Sequence, residues 1–259
     1  MYSIDSSLSD LDLERKQIIV FDLDGVLAES KTDVSLKMSD LLQKLLVVMK
    51  VAIISGASFK QYLKQVLPFI KTGLENLYLL PTCGSRMYAY KENEWSPIFQ
   101  NLLNETEKKK IINSLNIALS QYGHNPLTTY GPMIEDRDTQ ITFSALGQEA
   151  PLHIKEKWDP DQKKRQEIKK ILDTLIPEFE VRLGGTTSID ITRKGIDKSY
   201  GVNKIIEYFD YNFNEILFVG DALYPGGNDR PVLEMGIKSV EVKSPKDTER
   251  LITRIINNS

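Results

Sequence analysis

The chain has 259 residues, 41% of them hydrophobic and 27% charged, which is long enough to bury a sizeable core and excludes a disordered protein. A net charge of -3 and a pI of about 5.6 offer nucleic acid no electrostatic purchase, and no apolar run is long enough to span a bilayer. Cys83 is the only cysteine, which excludes an internal disulfide and a cysteine-based zinc site, and the composition suits a cytoplasmic enzyme or binding protein.

Residues 1–16, "MYSIDSSLSDLDLERK", read as a polar, acidic extension and not as a secretory signal. "QIIVFD" is short, branched and continuously apolar, which predicts a buried strand ending on Asp22. "MSDLLQKLLVVMK" has helical apolar spacing, "VAIIS" is a second buried strand, and "SFKQYLKQVL" predicts a helix with Ser58 as N-cap and Pro68 as its stop. "LYLLPTCG" is a third strand. Strand and helix in alternation call for a parallel sheet with right-handed crossovers.

The pattern then changes. "SRMYAYKENEWSPIF" alternates about a polar turn and predicts a hairpin. Amphipathic helices are expected over "NETEKKKIINSLNIALSQY" and "DPDQKKRQEIKKILDTLI", the second starting at Asp159 or Asp161. Between them, "PMIEDRDTQITFSAL" reads as two antiparallel strands around Arg137-Asp138-Thr139, and "FEVRLGG" and "TTSIDIT" follow as two more. From "DKSYGVNKIIEYF" onward the first pattern returns, with strands "EILFVGD" and "KSVEV" and a closing helix "SPKDTERLITRIINN". The expected organisation is an α/β core over residues 17–86 and 188–259, with an α+β unit of residues 87–187 inserted in it. His124 and His153 lack metal-ligand spacing and read as structural.

Four spots carry chemistry, and three of them end strands or lie just beyond one: Asp22 and Asp24 in "FDLDG", Ser55 and Gly56 in "IISGAS", and Asp221, Asn228 and Asp229 in "GDALYPGGND". The fourth is Lys198, at a helix start. In an open parallel sheet, strand carboxyl ends line the crevice that binds ligands. Two carboxylates about 5 Å apart repel by roughly 3 kcal/mol at an effective dielectric near 20, so Asp22 and Asp24 need a cation, solvent or a shared proton. Magnesium prefers a few carboxylates with water and phosphate oxygens, and a carboxylate can attack phosphorus to give an aspartyl-phosphate. Ser55 with nearby backbone N–H groups would hold phosphate oxygens, and Lys198 would meet the equatorial charge of a phosphoryl transition state.

In that order, "DLDGV", "IISG", "DK" and "GDALYPGGND" resemble the four motifs of the haloacid-dehalogenase-like superfamily. The resemblance implies a Rossmann-like, doubly wound parallel sheet with an inserted α+β cap of the type-II (C2) class. It also implies Mg²⁺ as cofactor, Asp22 as nucleophile and Asp24 as general acid/base. Ser55 and Lys198 would hold the transferred phosphoryl. The ion would sit among Asp22, the Asp24 backbone carbonyl and Asp221, with Asn228 and Asp229 around it. The cap would close to exclude water and read the sugar.

"IEDRDTQITFSALGQ" and "GGTTSIDITRKGIDKSYGVNKI" are similar to the eukaryotic-type phosphomannomutases, which grip a sugar phosphate with cap arginines and a Ser-x-Asp pair. Arg137, Ser188 and Asp190 match these. Gln148 stands where that family has another arginine, and Lys155 and Lys31 stand at further arginine positions. Since only arginine offers a bidentate fork, these departures favour a sugar-phosphate phosphohydrolase, with phosphomannomutase as the alternative and a non-catalytic sugar-phosphate binding protein as the third reading. Nucleic acid and membrane are not expected as partners. The sugar, and a homodimer through the cap, stay open.

Overall fold

The computed structural model describes residues 2–3, 8–30 and 32–258. The chain divides into two units, Met1–Gln100 with Asp197–Ser259, and Asn101–Ile196. Strands β1 (Tyr2–Ser3), β2 (Ile18–Asp22), β3 (Lys50–Ile54), β4 (Leu77–Leu80), β5 (Arg86–Lys91) and β6 (Glu94–Gln100) precede the inserted unit. Strands β7 (Ile134–Asp136), β8 (Ile141–Ser144), β9 (Phe179–Gly184) and β10 (Ser188–Arg193) lie inside it, and β11 (Ile216–Gly220) and β12 (Lys238–Glu241) follow. The helices before and within the insert are α1 (Leu8–Leu11), α2 (Leu36–Val48), α3 (Phe59–Gln65), α4 (Glu105–Tyr122), α5 (Leu152–Trp158) and α6 (Lys163–Leu175). Helices α7 (Lys198–Phe209), α8 (Arg230–Glu234) and α9 (Pro245–Ile256) complete the chain.

The first unit is an eight-stranded sheet in the order β1-β12-β11-β2-β3-β4-β5-β6. Pairing is parallel from β1 to β4 and antiparallel beyond it. Successive residues of β2 face opposite sides: Ile19 and Phe21 enter one apolar cluster with α2 and α9, and Ile18 and Val20 enter the other with α7 and α8. A strand buried on both faces must be apolar throughout, which is why "IIVF" carries no polar residue. Burying each such side chain stabilises the fold by roughly 1.5–3 kcal/mol. Ser35 starts α2 by accepting a hydrogen bond from the Met38 N–H at 3.1 Å.

β2 and β11 are neighbours although the chain leaves β2 towards β3 on one side and leaves β11 towards β12 on the other. The crevice of a doubly wound sheet opens at such a switch point. Helix α7 is drawn to it by a close backbone approach. A Cβ on Gly84 would lie 2.2 Å from the Gly201 Cα, so only two glycines let this helix pack onto the turn after β4.

The second unit is an antiparallel sheet in the order β7-β8-β10-β9. Phe143, Ile189, Ile191 and Val181 pack in one cluster with Ile111 and Leu115 of α4 and Ile168 and Leu172 of α6. A reciprocal capping box starts α4: Asn104 accepts from the Glu107 N–H at 2.9 Å, and Glu107 accepts from the Asn104 N–H at 2.7 Å. Arg193, near the end of the unit, donates to Glu107 at 2.8 and 2.6 Å and also to Asn101 at its start.

The expected boundaries at residues 87 and 187 are corrected. The hairpin β5–β6 extends the first sheet, because Tyr78 and Leu79 of β4 pair with Ala89 and Tyr88 and because Met87 and Ala89 are buried in that core. Its turn, Glu92-Asn93, has φ of 52° and 64°, the left-handed geometry that a two-residue hairpin needs. Conversely β10, expected in the first unit, pairs with β8 and β9 in the second. The acidic start is not wholly an extension either: Tyr2 and Ser3 form β1 against β12, and Leu11 is buried in the first core.

Candidate active site

The carboxyl ends of β2, β3 and β11 and the start of α7 bring Asp22, Ser55, Asp221 and Lys198 into the first unit's site. Asp22 is 4% exposed and Lys198 1%. The Lys198 Nζ lies 2.8 Å from Asp22 Oδ1 and 2.5 Å from Asp229 Oδ1. Asp197 caps α7 by accepting from the Tyr200 N–H at 3.2 Å, which fixes where Lys198 starts.

Asp229 is fully buried, and its second oxygen accepts from the N–H groups of Asp221 and Ala222 at 3.1 and 3.0 Å. It therefore staples the turn after β11 to Lys198. Gly220 makes room for this, since a Cβ there would lie 2.4 Å from Asp229 Oδ2. Gly25 serves Asp221 in the same way: its φ is +81°, and a Cβ would stand 2.1 Å from Asp221 Oδ2.

Carboxylate oxygens of Asp22, Asp221 and Asp229 lie within 4.8 Å of one another. With all ionised, these three and Lys198 carry an excess of two negative charges. That excess, held by hard oxygen donors, fits one divalent cation such as magnesium. Burial pushes the Asp22 carboxyl up to about 7; Lys198 opposes this and Asp229 adds to it. Burial, then Asp229, likewise raises Asp221. For Lys198 burial acts downward, but the Asp22 and Asp229 carboxylates prevail and raise it, so the ammonium stays charged.

The half-buried Asp24 stands in the tight turn closed by Gly25 N–H donating to Ala28 O at 2.8 Å, and its carboxylate is not a member of the three-acid cluster. Ser55 is 2% exposed, and its Oγ accepts from the Ala57 N–H at 3.0 Å. Gly56 borders open space, because a Cβ there would meet no atom within 4 Å. Asn228 is exposed beside Asp229. Lys31 lies outside the described residues.

The remaining expected residues belong to the inserted unit. Arg137 closes the β7–β8 turn, and its Nε and Nη2 donate to Glu135 Oε2 at 2.8 Å each. Ser188 and Asp190 share one face of β10. Gln148 sits in the loop after β8; its Nε2 is buried without a protein hydrogen-bond partner, and its backbone carbonyl accepts from the buried Lys155 Nζ at 2.9 Å.

Sequence reasoning missed Arg165, which is buried, paired to Asp159 at 2.8 Å, and donates to the carbonyls of Gly184 and Gly185 at 3.1 and 2.7 Å. It was hidden in a run of basic residues that reads as a wet helix face. Asp159 and Asp161 do serve the start of α6: Asp159 accepts from the N–H groups of Lys164 and Arg165, and Asp161 from that of Lys163.

A family model described as eukaryotic phosphomannomutase matches residues 38–258. The chain belongs to the eukaryotic phosphomannomutase family. It is 25% identical over 248 residues to a probable phosphomannomutase of Caenorhabditis elegans, covering 93% of this chain and 96% of that one. The phosphomannomutase of Saccharomyces cerevisiae is 26% identical over 246 residues, covering 93% and 94%. Among solved structures, the N-terminally truncated IMP-nucleotidase of Plasmodium falciparum matches with a TM-score of 0.71 at 16% identity, over 97% of this chain and 74% of that one. A haloacid dehalogenase-like hydrolase from Bacteroides thetaiotaomicron matches with a TM-score of 0.63 at 14% identity, over 93% and 99%. At these identities the structures establish a shared α/β fold.

Membership of the phosphomannomutase family overturns the expected phosphohydrolase. That expectation rested on Gln148, Lys155 and Lys31 standing where the family has arginines. The Gln148 amide Nε2 keeps a buried donor at its position, without the charge. No described helix is long and apolar enough to cross a membrane.

Proposed function

We propose that the protein interconverts mannose 1-phosphate and mannose 6-phosphate by phosphoryl transfer through Asp22. The observation that carries this reading is the buried Asp22–Lys198–Asp229 chain at a strand end, with Asp221 alongside, in a chain of this family. Asp22 Oδ attacks one phosphorus of a hexose bisphosphate, the bond from that phosphorus to the sugar oxygen breaks, and Asp24 gives that oxygen its proton, leaving a sugar monophosphate and a phosphorylated Asp22. In the forward half of a turnover the phosphorylated Asp22 returns the group to the other hydroxyl of the sugar phosphate, Asp24 taking the hydroxyl proton. The bisphosphate formed then gives up its other phosphoryl to Asp22.

Lys198 and Ser55 meet the phosphoryl oxygens, and Lys198 also holds Asp22 in place. Magnesium would be held by Asp22, Asp221 and the Asp24 carbonyl, with Asp229 and Asn228 around it; when bound, it offsets the crowded negative charge of carboxylates and phosphate. Gln148, Arg137, Ser188, Asp190 and Lys31 are the proposed contacts to the sugar phosphate. Incubating the protein with magnesium, a hexose bisphosphate activator and each mannose phosphate tests the reading. Isomerisation that depends on the activator is expected. Release of inorganic phosphate with no isomerisation would reject it.

A further inference from the structure

The sheet of the inserted unit has two unlike faces. One packs Phe143, Ile189, Ile191 and Val181 against α4 and α6. On the other, antiparallel register sets Glu135, Thr142, Asp190 and Arg182 in one row across β7, β8, β10 and β9. Gln140 and Thr142 are 2% and 1% exposed, which is costly for polar side chains unless each finds a partner. They find each other and Asp190. Gln140 Nε2 donates to Thr142 Oγ1 at 2.8 Å, and Thr142 Oγ1 donates to Asp190 Oδ1 at 2.8 Å.

A hydroxyl has a single proton. Because the Gln140 amide supplies a donor to the threonine oxygen, the threonine proton is committed to Asp190. The other carboxylate oxygen, Oδ2, is seated over Gly184, where a Cβ would come within 2.4 Å of it. Gly184 is itself pinned through its carbonyl by the buried Arg165. The Asp190 carboxylate is thus held at Oδ1 by the buried Thr142 hydroxyl, while Oδ2 lies close against the Gly184 backbone.

We propose that Gln140 and Thr142 are positioning residues that aim Asp190 at one hydroxyl of the sugar phosphate, so that the sugar is selected through a buried relay and not by Asp190 alone. This rests on the reading that Asp190 contacts the substrate. A carboxylate accepts from a sugar hydroxyl well only when its lone pairs point along the O–H bond, and a rotated carboxylate loses most of that bond.

The test is the affinity of the full-length protein for mannose 6-phosphate, measured by calorimetry alongside the isomerase assay. Thr142→Val keeps the shape and removes the proton; it should weaken binding about tenfold, the equivalent of one hydrogen bond to a charged group. Thr142→Ser should restore wild-type affinity. Gln140→Leu, which frees the hydroxyl to turn, should weaken binding by about threefold and serves as the second variant if Thr142→Val does not fold. Thr142→Val in an Asp190→Asn background should cost nothing further. Unchanged affinity in folded Thr142→Val or Gln140→Leu, full additivity with Asp190→Asn, or a wild type that binds no mannose 6-phosphate would overturn the relay. A wild type that binds yet does not isomerise rejects the proposed reaction, and the relay is then judged on the affinities alone.

Discussion

At the scale of single residues, the site is organised by charge balance inside a closed space. Asp22→Asn keeps the shape of the proposed nucleophile and removes its negative charge and with it its nucleophilicity; phosphoryl transfer should fall by at least about a thousandfold. Circular dichroism of that variant should match the wild type, and an active Asp22→Asn protein would end the mechanism. Gly25→Ala introduces a Cβ where Asp221 Oδ2 stands at 2.1 Å and forces alanine to a φ of +81°. The strain is about 1 kcal/mol, but displacement of Asp221 should weaken magnesium binding by about tenfold or more, readable as a rightward shift of a magnesium titration of activity. Much of this was legible in the sequence, because Asp22, Ser55, Lys198 and Asp221 each follow a strand or open a helix whose apolar pattern is unmistakable. Lys198 bridging Asp22 and Asp229 was not. Which acid a lysine reaches depends on how strands far apart in the chain are neighbours in space.

At the scale of elements, local pattern named most strands and helices and misplaced the seams between units. A hairpin such as β5–β6 alternates identically whichever sheet it joins, so membership is decided by its pairing with β4, which no local signal carries. Helix α5 carries no sequence signal of its own, because "LHIKEKW" is short, follows Pro151 and has no repeating apolar face. Its buried Lys155 is the reason it matters to Gln148. The α6–β9 seam rests on Arg165, whose guanidinium serves Asp159 and two glycine carbonyls with 2% of its side chain exposed. Arg165→Ala strands a buried carboxylate and should lower stability by about 3–5 kcal/mol in urea unfolding. A loss under 1 kcal/mol would show that water replaces the guanidinium there.

At the scale of the whole molecule, the buried apolar clusters divide as the units do: two lie on the faces of the larger sheet, and one lies wholly within residues 101–196. The inserted unit should therefore fold as an isolated fragment of those residues, with dispersed amide NMR signals as the readout. Its stability should depend on acidity through His124. Burial lowers that imidazole below its ordinary value of 6.5 and the Lys164 charge adds to this, while the hydrogen bond with the Ala145 carbonyl opposes them. The folded unit thus keeps His124 neutral while the unfolded chain takes up a proton, so stability is full above about pH 6.5 and declines as the pH falls below it. The thermal midpoint of the fragment, followed from pH 7.5 to 5.5, should drop, and His124→Gln should flatten the drop. Arg193 gripping Asn101 and Glu107 means that the chain leaves this unit beside the place where it came in. To the larger sheet, everything between those two points is a closed loop of almost no span. Because closure entropy grows only with the logarithm of loop length, the sheet is nearly indifferent to what is spliced there. Under the proposed function, the sugar contacts of the inserted unit can then be exchanged as a cassette while the phosphoryl chemistry stays behind unaltered.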